Sequence, residues 1–382
     1  MRVFVTGGAG FIGSRTVLRL LELGHDCVVL DSLHPQIHTA DAEQSPTWRM
    51  VKNACQTIVA DVRDAAAVEG AVDRCDAVLH LAAETGTGQS MYELERYTNV
   101  NVGGTAVLLG RVVQRRERIR RVVVASSRSV YGEGSYRCAA HGVLSPDSRL
   151  ATDVRAEHFE PLCPQCRGEL QLLPTAESAA LRPASVYAIT KLAQEQLVAV
   201  VCGSAGMPWF ALRYQNVYGP GQSLNNPYTG VLSIFSRLMM QQADIEIFED
   251  GLESRDFVYI DDVVEANVAA LCADPEQVGV ANVGSGVGTS INRLVELLGA
   301  RYGYRGKVAI TGRYRHGDIR HNVADTEAAA SLLGIQARVQ IEEGIARFCD
   351  WARRELSADP VKQQDASYRK SLAELESRGL IS

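Results

Sequence analysis

The chain has 382 residues, of which 46% are hydrophobic and 22% charged, a composition typical of a folded globular protein. Its net charge of −6 argues against nucleic acid as the main partner, because binding a phosphate backbone needs a basic face. No apolar run reaches the ~18–20 residues of a membrane span, and the first residues already read as a strand, which leaves no room for a secretory signal. Nine cysteines, an odd number, fit reduced thiols better than a disulfide framework. We therefore expect a soluble cytoplasmic protein.

The first third of the chain alternates short apolar runs with amphipathic segments. Strands are predicted at Val3–Val5, Cys27–Leu30, Ile58–Ala60, Ala77–Leu81 and Arg121–Ala125. Helices are predicted between them at Gly13–Leu23, Ala65–Val72 and Asn101–Val113. This order predicts an α/β fold, with a doubly wound parallel sheet covered by helices on both faces.

The pattern breaks between Ser135 and Arg182, where prolines, cysteines and histidines concentrate, and this stretch reads as an insertion. Beyond it, the predicted elements are a helix at Ser185–Val201, a strand at Phe210–Tyr214, helices at Gly230–Gln241, Asp262–Ala273 and Ile291–Tyr302, and a polar helical tail after Ile341. These changes predict a first domain at 1–213, with the insertion at 135–182, and a smaller C-terminal lobe at 214–382.

A glycine-rich turn, the string TGGAGFIG at residues 6–13, lies between the first predicted strand and the first helix. Its glycines permit a tight turn and let the backbone and the helix N-terminus approach a pyrophosphate. Asp31 ends the second strand, where a carboxylate binds an adenosine 2′-hydroxyl and repels a 2′-phosphate. The combined context predicts a Rossmann-type domain that binds NAD rather than NADP. The alternative is that Asp31 is only a turn residue at the end of a strand.

Further cofactor contacts are expected at the carboxyl ends of the next strands, because ligands of parallel sheets bind there. Asp61 and Val62 would lie against the adenine, and the string HLAA at residues 80–83 would border the nicotinamide. His80 itself is expected to be a packed core histidine rather than a catalyst. The cofactor residues predicted in these strings are Gly7, Gly10, Phe11, Ile12, Gly13, Asp31, Asp61, Val62, Leu81, Ala82 and Ala83.

Tyr187 and Lys191 stand four residues apart in the string YAITK, which puts them on one face of the predicted helix. A free phenol titrates near ~10, too high for an efficient base at neutral pH, but a nearby ammonium and an oxidised nicotinamide both favour the phenolate. Ser127, in the string ASSRSVYG after the fifth strand, would share the substrate hydroxyl with Tyr187. The alternative for Ser127 is a serine that caps the next helix.

The strings TGGAGFIG, HLAA, SSRSVYG, YAITK and RYQNVYGPGQ together resemble the nucleotide-sugar branch of the extended short-chain dehydrogenase/reductase family, from Met1 to about Asp350. The resemblance implies that Ser127, Tyr187 and Lys191 form the catalytic group, that the C-terminal lobe binds a nucleotide sugar, and that the protein is a homodimer through two helices per subunit. It adds Asn101, Gln215, Tyr187 and Lys191 to the cofactor contacts, and it implies substrate contacts at Thr85, Ser127, Arg128, Asn216, Arg255 and Arg315. Arg255 and Arg315 match the arginines that bind the diphosphate, for which surface salt bridges are the alternative.

The residues that follow Ser127 bear on the reaction. The family's 4,6-dehydratases carry an Asp-Glu pair where this chain has Arg128 and Ser129, and its decarboxylases carry a glutamate in place of Ser129. The resemblance therefore implies hydride removal and return at C4 of the sugar, that is, NAD-dependent 4-epimerisation. Longer strings such as ETGTGQSMYELERYTNVNVGGT and RYQNVYGPGQSLNNPYTG are similar to those of the dTDP-L-rhamnose 4-epimerases, which interconvert dTDP-L-rhamnose and dTDP-6-deoxy-L-talose.

Other functions stay open on the sequence. A 4-epimerase of UDP-glucose, UDP-galactose or UDP-glucuronate would use the same residues. A 4-keto-sugar reductase that releases its cofactor is disfavoured by Asp31, because family resemblance suggests NADPH for such reductions. A non-catalytic NAD-binding scaffold is disfavoured by the intact set of Ser127, Tyr187 and Lys191.

The insertion carries two pairs of metal-binding residue types, Cys138 with His141 and Cys163 with Cys166. Three sulfurs and one imidazole would fill the closed tetrahedral site that structural zinc prefers, with His158 as a substitute fourth ligand. Bound zinc would also supply the energy that orders so polar a segment. The alternative is a set of reduced thiols near a flexible loop. Since the insertion lies between Ser127 and Tyr187, we expect it to overhang the substrate cleft.

Overall fold

The computed structural model describes residues 1–38, 41–224, 230–315, 317–357 and 367–381. The strands are β1 Arg2–Thr6, β2 Asp26–Asp31, β3 Gln56–Val59, β4 Ala77–His80, β5 Arg121–Ser127, β6 Tyr136–Cys138, β7 Gly142–Leu144, β8 Leu170–Leu172, β9 Trp209–Tyr214, β10 Asn216–Tyr218, β11 Ile245–Ile247, β12 Ser254–Tyr259, β13 Gly279–Val283, β14 Gly288–Ser290, β15 Val308–Ile310 and β16 His321–Asn322. The helices are α1 Phe11–Glu22, α2 Pro35–His38, α3 Pro46–Val51, α4 Ala65–Val72, α5 Thr87–Ser90, α6 Leu94–Tyr97, α7 Gly104–Gln114, α8 Ala151–Arg155, α9 Val186–Ser204, α10 Val231–Met240, α11 Ile260–Cys272, α12 Ile291–Tyr302, α13 Glu327–Leu333, α14 Ile341–Ser357 and α15 Ser367–Ser377.

The main sheet has seven strands in the order β13-β9-β5-β4-β1-β2-β3, and every neighbouring pair is parallel. Its central strands are continuous apolar runs because helices cover both faces. The core on one face includes side chains of α1, α3 and α11. The core on the other face includes side chains of α4, α7 and α9. The predicted doubly wound α/β fold is confirmed.

The predicted element boundaries differ from the structure at two places that matter for the site. Helix α1 begins at Phe11 rather than Gly13, because Gly10 is extended and acts as its N-cap. The helix predicted at Asn101–Val113 consists of a π-helical segment, Thr98–Gly103, followed by α7. Such irregular segments often occur beside functional sites.

The C-terminal part of the chain builds a second core among α10, α12 and α14. The small sheet formed by β10, β12 and β14 adjoins it, and β16 pairs with β12. Strand β13 and helix α11 lie in the range predicted for the C-terminal lobe, yet both pack in the main domain. The chain therefore crosses between the two parts more than once, and the division at residue 214 stays a prediction. In the described ranges, no helix has the length and apolarity to cross a bilayer.

The insertion contains a small antiparallel sheet in the order β7-β6-β8 and the short helix α8. The sequence pattern did not predict these strands, because each has only three residues. Strand β6 carries two deeply buried side chains, Tyr136 and Cys138. Strands β6 and β7 form a hairpin, and Gly142 at its turn has a φ of +71°.

Candidate active site

A cleft of about 1020 Å³ opens at the carboxyl ends of the main-sheet strands. The glycine turn and Asp31 line one side of it, and Gln215, Asn216 and Arg255 line the other. Doubly wound sheets bind their ligands at this edge, so the cleft is the candidate active site.

The glycine turn between β1 and α1 has no room for a side chain at Gly7 or Gly13. Gly7 has a φ of +67°, and a Cβ there would lie 2.8 Å from the amide nitrogen of Ala82. A Cβ on Gly13 would lie 2.2 Å from the carbonyl oxygen of Gly7. Gly10 caps α1 without a side-chain hydrogen bond, and Phe11 and Ile12 line the cleft beside it. The turn thus presents backbone amides and a helix N-terminus to the cleft, which suits a pyrophosphate.

The carboxylate of Asp31 is held firmly at the end of β2. It accepts hydrogen bonds from the amides of Ala9 at 3.0 Å and Leu33 at 2.9 Å. The imidazole Nε2 of His38 lies 3.5 Å from the same carboxylate. Asp31 therefore acts as a turn residue and also links the strand end to the glycine turn, and it lines the cleft.

The predicted cofactor residues that follow β3 and β4 also line the cleft. Asp61 pairs with Arg63 at 2.8 Å, and this hydrogen bond lowers the pKa of Asp61. Val62 packs on Gly104, where a Cβ would lie only 2.4 Å from the Val62 methyl. Leu81, Ala82 and Ala83 follow β4 and border the cleft.

Ser127 and Tyr187 both line the cleft, and the Ser127 hydroxyl lies near enough to the Tyr187 phenol to lower its pKa. Ser127 ends β5 and caps the 3₁₀ helix at residues 128–131, because its hydroxyl accepts from the amide and the hydroxyl of Ser129 at 3.2 and 3.0 Å. Burial raises the pKa of Tyr187, whereas the nearby Ser127 hydroxyl and the charge of Arg128 lower it, and the net shift is upward. The phenol therefore needs further positive charge nearby to act as a base at neutral pH.

Lys191 lies one helical turn beyond Tyr187 and is buried. Its Nζ donates a hydrogen bond to Oε1 of Gln194 at 2.7 Å. Burial lowers the pKa of Lys191 to about 7, although the nearby charge of Glu195 raises it. This lysine can therefore change its protonation state near neutral pH.

A buried polar chain connects Lys191 to β1. Gln194 donates to Oγ1 of Thr105 at 2.8 Å. Thr105 in turn lies 2.8 Å from Nε2 of His80, whose Nδ1 lies 2.7 Å from Oγ1 of Thr6. Burial lowers the pKa of His80 to about 3, so the imidazole is neutral at pH 7. His80 is thus a packed core histidine, as the sequence predicts.

Several residues that line the cleft carry buried polar atoms without a partner among the described residues, and three of them are predicted site residues. These three are Arg128, through Nη1, Gln215, through both amide atoms, and Asn216, through Oδ1. Burial and the charge of Arg255 lower the pKa of Arg128 to about 10. A buried polar atom without a partner costs free energy unless a ligand supplies one, so these atoms fit a polar ligand.

Arg255 and Arg315 line the same part of the cleft as Asp318. Arg255 donates to Oδ1 of Asp318 at 3.1 Å and to the carbonyl of Arg320 at 2.9 Å. Burial raises the pKa of Asp318, but the charges of four arginines, of which Arg255 contributes most, together lower it overall. Arg255 is buried, whereas its partner Asp318 and the second predicted arginine, Arg315, are exposed, so the salt-bridge alternative stays open.

Of two further predicted site residues, Thr85 faces the cleft and Asn101 lies behind the cleft wall. Thr85 lines the cleft, and its carbonyl accepts a hydrogen bond from Tyr97 at 2.7 Å. Asn101 is fully buried behind the wall. Its Oδ1 accepts from the amide of Glu84 at 2.7 Å, and its Nδ2 donates to Thr190 at 2.9 Å. Asn101 therefore joins the loop after β4 to helix α9.

The four predicted metal-binding side chains converge in the insertion, with their donor atoms within 4.8 Å of one another. Nδ1 of His141 lies 3.6 Å from Sγ of Cys138 and 3.4 Å from Sγ of Cys163. The sulfurs of Cys138 and Cys166 are 3.7 Å apart. His158, the substitute ligand, lies outside this cluster and is exposed after α8.

The sequence reasoning missed one part of the cleft, the segment that contains α15. Leu372, Leu375 and Leu380 line the cleft, and Leu375 lies against Gly88. Residue Ile381 bridges to Arg315. The sequence signal was weak, because these leucines interrupt a polar tail with too few apolar positions to predict a contact.

Residues 3–147 and 166–284 match the model of the NAD dependent epimerase/dehydratase family. The chain belongs to this family. The break in the match, residues 148–165, falls inside the insertion and includes α8 and Cys163.

Relatives in this family cover nearly the whole chain. The dTDP-L-rhamnose 4-epimerase of Burkholderia thailandensis is 39% identical over 357 residues, which cover 93% of this chain and 96% of that protein. The structure of a Thermotoga maritima UDP-glucose 4-epimerase with UDP-glucose is 29% identical, covers 93% of this chain and 100% of its own, and has a TM-score of 0.75. The Thermus thermophilus UDP-glucose 4-epimerase in complex with NAD is 28% identical, covers 92% and 99%, and has a TM-score of 0.72. The predicted family and enzyme class, an NAD-dependent nucleotide-sugar epimerase, are confirmed.

Proposed function

We propose that this family member interconverts the two C4 epimers of a nucleotide sugar with Ser127, Tyr187 and Lys191 as its catalytic group. The observation that carries the proposal is that Ser127, Tyr187 and the buried Lys191 line one cleft together, with Lys191 one helical turn beyond Tyr187 and the Ser127 hydroxyl near the Tyr187 phenol. Tyr187 accepts the proton of the C4 hydroxyl and later returns it, while Ser127 orients that hydroxyl. The positive charge of Lys191, when protonated, lowers the pKa of the phenol. Bound NAD supplies the hydride chemistry at C4.

The remaining site residues are assigned to binding. The proposed cofactor contacts are Gly7, Gly10, Phe11, Ile12, Gly13, Asp31, Asp61, Val62, Leu81, Ala82, Ala83, Tyr187, Lys191 and Gln215, with Asn101 positioning the wall behind them. The proposed substrate contacts are Thr85, Ser127, Arg128, Asn216, Arg255 and Arg315. The cofactor assignment is supported by the tight glycine turn, and the substrate assignment by the unpartnered polar atoms of Arg128 and Asn216.

Elimination and decarboxylation are disfavoured by the two residues after Ser127. Losing water from the sugar needs an additional acid and base beside the catalytic hydroxyl. Here the additional residues are Arg128, which stays cationic, and Ser129, whose hydroxyl donates to Ser127 at 3.0 Å. Neither supplies a carboxyl group, so a reaction that restores the cofactor by returning the hydride is favoured.

The substrate we propose is dTDP-L-rhamnose, with dTDP-6-deoxy-L-talose as the product. The relative from Burkholderia thailandensis supports this choice. The apolar side chains of Leu372, Leu375 and Leu380 in the cleft are compatible with the methyl group of a 6-deoxy sugar. A UDP-sugar substrate is the second candidate, because a structural relative is bound to UDP-glucose.

NMR of the products formed from separate dTDP-sugars and UDP-sugars tests the reaction and the substrate together. We expect epimerisation of dTDP-L-rhamnose without added cofactor, and NAD in the mass spectrum of the material released from denatured protein. If only a UDP-sugar is turned over, the proposed substrate is wrong and the proposed reaction stands. Net oxidation or reduction, or no turnover of any sugar with NAD bound, would contradict the proposed reaction.

We also propose that the enzyme is a cytoplasmic homodimer that associates through α9 and a neighbouring helix. Ile189 and Val200 are 55% and 67% exposed on α9, and their spacing of three helical turns puts them on one side. Light scattering on a size-exclusion column should find a dimer in the parent and a weakened dimer in Val200→Lys. Val143→Lys, which changes an equally exposed valine in the insertion, is the control. A monomeric parent would contradict the proposal.

We further propose that Cys138, His141, Cys163 and Cys166 hold one structural zinc ion. A tetrahedron with Zn–S bonds of ~2.3 Å and a Zn–N bond of ~2.0–2.1 Å puts the sulfurs ~3.8 Å apart and the nitrogen ~3.6 Å from each sulfur. The separations of 3.7, 3.6 and 3.4 Å agree with this geometry. Backbone amides of the two turns point at the sulfurs, those of Ala140 and His141 at Cys138 and those of Gln165 and Cys166 at Cys163. Such amides stabilise thiolate ligands.

A further inference from the structure

Two residues that precede the Cys163–Cys166 turn, Phe159 and Glu160, contact the segment that follows the cleft residue Asp318. Glu160, three residues before Cys163, accepts hydrogen bonds from Nε of Arg320 at 2.8 Å and from Nε2 of His321 at 3.0 Å. The guanidinium of Arg320 lies over the ring of Phe159 at 5.7 Å. Phe159 and Glu160 are only four and three residues from Cys163, so a metal that fixes the Cys163–Cys166 turn also restricts the positions of these two residues.

Arg149 forms a second connection between the insertion and the cleft. Its guanidinium is buried and donates to the carbonyl of Phe159 and to the carbonyl of Asp318, both at 3.0 Å. The same group makes two hydrogen bonds of 2.8 Å to the carboxylate of Glu249. One side chain of the insertion thus joins the segment before the Cys163–Cys166 turn to the segment that carries Asp318.

Residues 317–321, the segment that Arg149 and Glu160 bind, form hydrogen bonds to Arg255. The carbonyl of Arg320 accepts from Nη1 of Arg255 at 2.9 Å, and Asp318 accepts from Nη2 at 3.1 Å. The amide of Arg320 donates to Glu133, just before the insertion, at 2.8 Å. Arg255 therefore has its guanidinium oriented by backbone and side-chain acceptors whose own position depends on the insertion.

We propose that the metal-held insertion is a positioning element of the substrate site. The metal fixes the Cys163–Cys166 turn, Arg149 and Glu160 transmit that order to residues 317–321, and these residues hold Arg255 ready for the diphosphate of the substrate. A long arginine side chain that is ordered beforehand loses less entropy on binding, so its ordering shows up as affinity. This inference rests on the proposed zinc and nucleotide-sugar sites.

The first test removes the metal through its exposed ligand, Cys166, and compares Cys166→Ser with Cys272→Ser, which changes an exposed cysteine outside the insertion. Zinc is counted by plasma mass spectrometry, and dTDP and UDP are titrated separately by calorimetry. We expect about one zinc per parent chain, less than half of that in Cys166→Ser, and a nucleotide Kd raised about tenfold with NAD retention unchanged. Cys272→Ser should match the parent. Cys166→Ser protein that has lost its zinc but keeps the parent Kd would overturn the proposal.

The second test leaves the metal ligands unchanged and weakens the interaction of Glu160 with Arg320 and His321. Glu160→Gln is compared with Glu169→Gln, an exposed glutamate of the same insertion. We expect unchanged zinc in both, and a Kd for dTDP or UDP about three- to tenfold higher in Glu160→Gln alone. With a sugar substrate, KM should rise while kcat stays within about twofold, because Glu160 acts on binding rather than on the reacting atoms. A fall in kcat at constant KM, or equal behaviour of the two variants, would contradict the positioning role.

The outcomes separate this inference from the proposed reaction. Binding of dTDP or UDP requires no turnover. A protein that epimerises no sugar, but whose nucleotide Kd rises as expected in Cys166→Ser and Glu160→Gln, would overturn only the proposed reaction. A parent protein without zinc, or one that binds neither nucleotide, would overturn the positioning proposal even if epimerisation is found.

Discussion

Lys191 donates a hydrogen bond of 2.7 Å to the side chain of Gln194, and both residues are buried on the same helix. Gln194 continues the connection through Thr105 to His80, which is neutral at pH 7. Among the described residues, the hydrogen-bond partner of Lys191 is the uncharged Gln194, and burial lowers the pKa of the lysine to about 7. The group that we propose to carry a positive charge beside Tyr187 is thus costly to charge before a ligand binds.

The pH dependence of stability should reveal this buried lysine. The folded-state pKa of Lys191, about 7, lies below its ordinary value of 10.5, so the unfolded chain binds more protons between these pH values. The free energy of unfolding of NAD-free protein should therefore rise with pH above about 7, by up to ~1.4 kcal/mol per pH unit from this group. Lys191→Met should lack this contribution, which urea unfolding of parent and variant at several pH values will measure. Parallel stability curves would show that Lys191 titrates normally.

Replacing Tyr187 by phenylalanine should stop turnover and leave the cofactor bound. Only the proton acceptor is lost, and removing a positioned acid or base typically costs ~10²–10⁴-fold in rate. The measurement is the initial rate of epimerisation, with NAD counted after denaturation. Tyr304→Phe is the control and should keep the parent rate, because the phenol of Tyr304 donates to the carbonyl of Ala243 and is not part of the cleft lining. A rate within about threefold of the parent in Tyr187→Phe would exclude the phenol as the base.

Asp31 should make the NAD-free protein bind NAD⁺ more tightly than NADP⁺. Its carboxylate is fixed at the cleft by the amides of Ala9 and Leu33 and would face a 2′-phosphate with like charge. Calorimetric titration with both cofactors measures the preference, which Asp31→Asn should weaken. Asp26→Asn, an exposed change at the start of the same strand, serves as the control. Equal affinities for both cofactors in the parent would contradict this role.

Glu195→Gln should destabilise the protein strongly, although Glu195 lies outside the proposed catalytic group. Its carboxylate pairs with Arg213 at 2.5 and 3.0 Å and accepts from Ser126 at 2.7 Å, all in the interior. Leaving one charge of a buried pair uncompensated costs ~3–5 kcal/mol. Thermal unfolding should show a clear loss of stability, whereas Glu69→Gln, at an exposed pair with Arg111, should change little. Equal melting temperatures would show that Arg213 finds another acceptor.

The parts of the site that sequence could predict depend on local geometry. The glycine turn is recognisable because no side chain fits where Gly13 approaches Gly7. Tyr187 and Lys191 share a helix face because they are four residues apart. The rule that ligands bind at the carboxyl ends of parallel strands placed Asp31 and Ser127 at one cleft, since both end a strand of the main sheet.

Other parts depended on residues far apart in the chain. The two cysteine-containing pairs identified the insertion as a metal candidate, but both His141 and His158 had the right chemistry, and only the folded hairpin brings His141 to the sulfurs. The leucines of α15 and the bond from Arg320 to Glu160, 160 residues away, carried no sequence signal of their own. Their positions follow from tertiary packing, which the periodicity of apolar residues in a sequence does not predict.

The sequence by itself determined the α/β fold, the family, and the order of cofactor turn, serine and tyrosine–lysine pair, because each is a short-range pattern whose geometry the backbone dictates. Only the tertiary structure decided how Lys191 is buried on a neutral partner, how α15 closes one wall of the cleft, and how the insertion grips residues 317–321. These features depend on desolvation and on contacts between distant segments. Their energies exist only once the whole chain has packed.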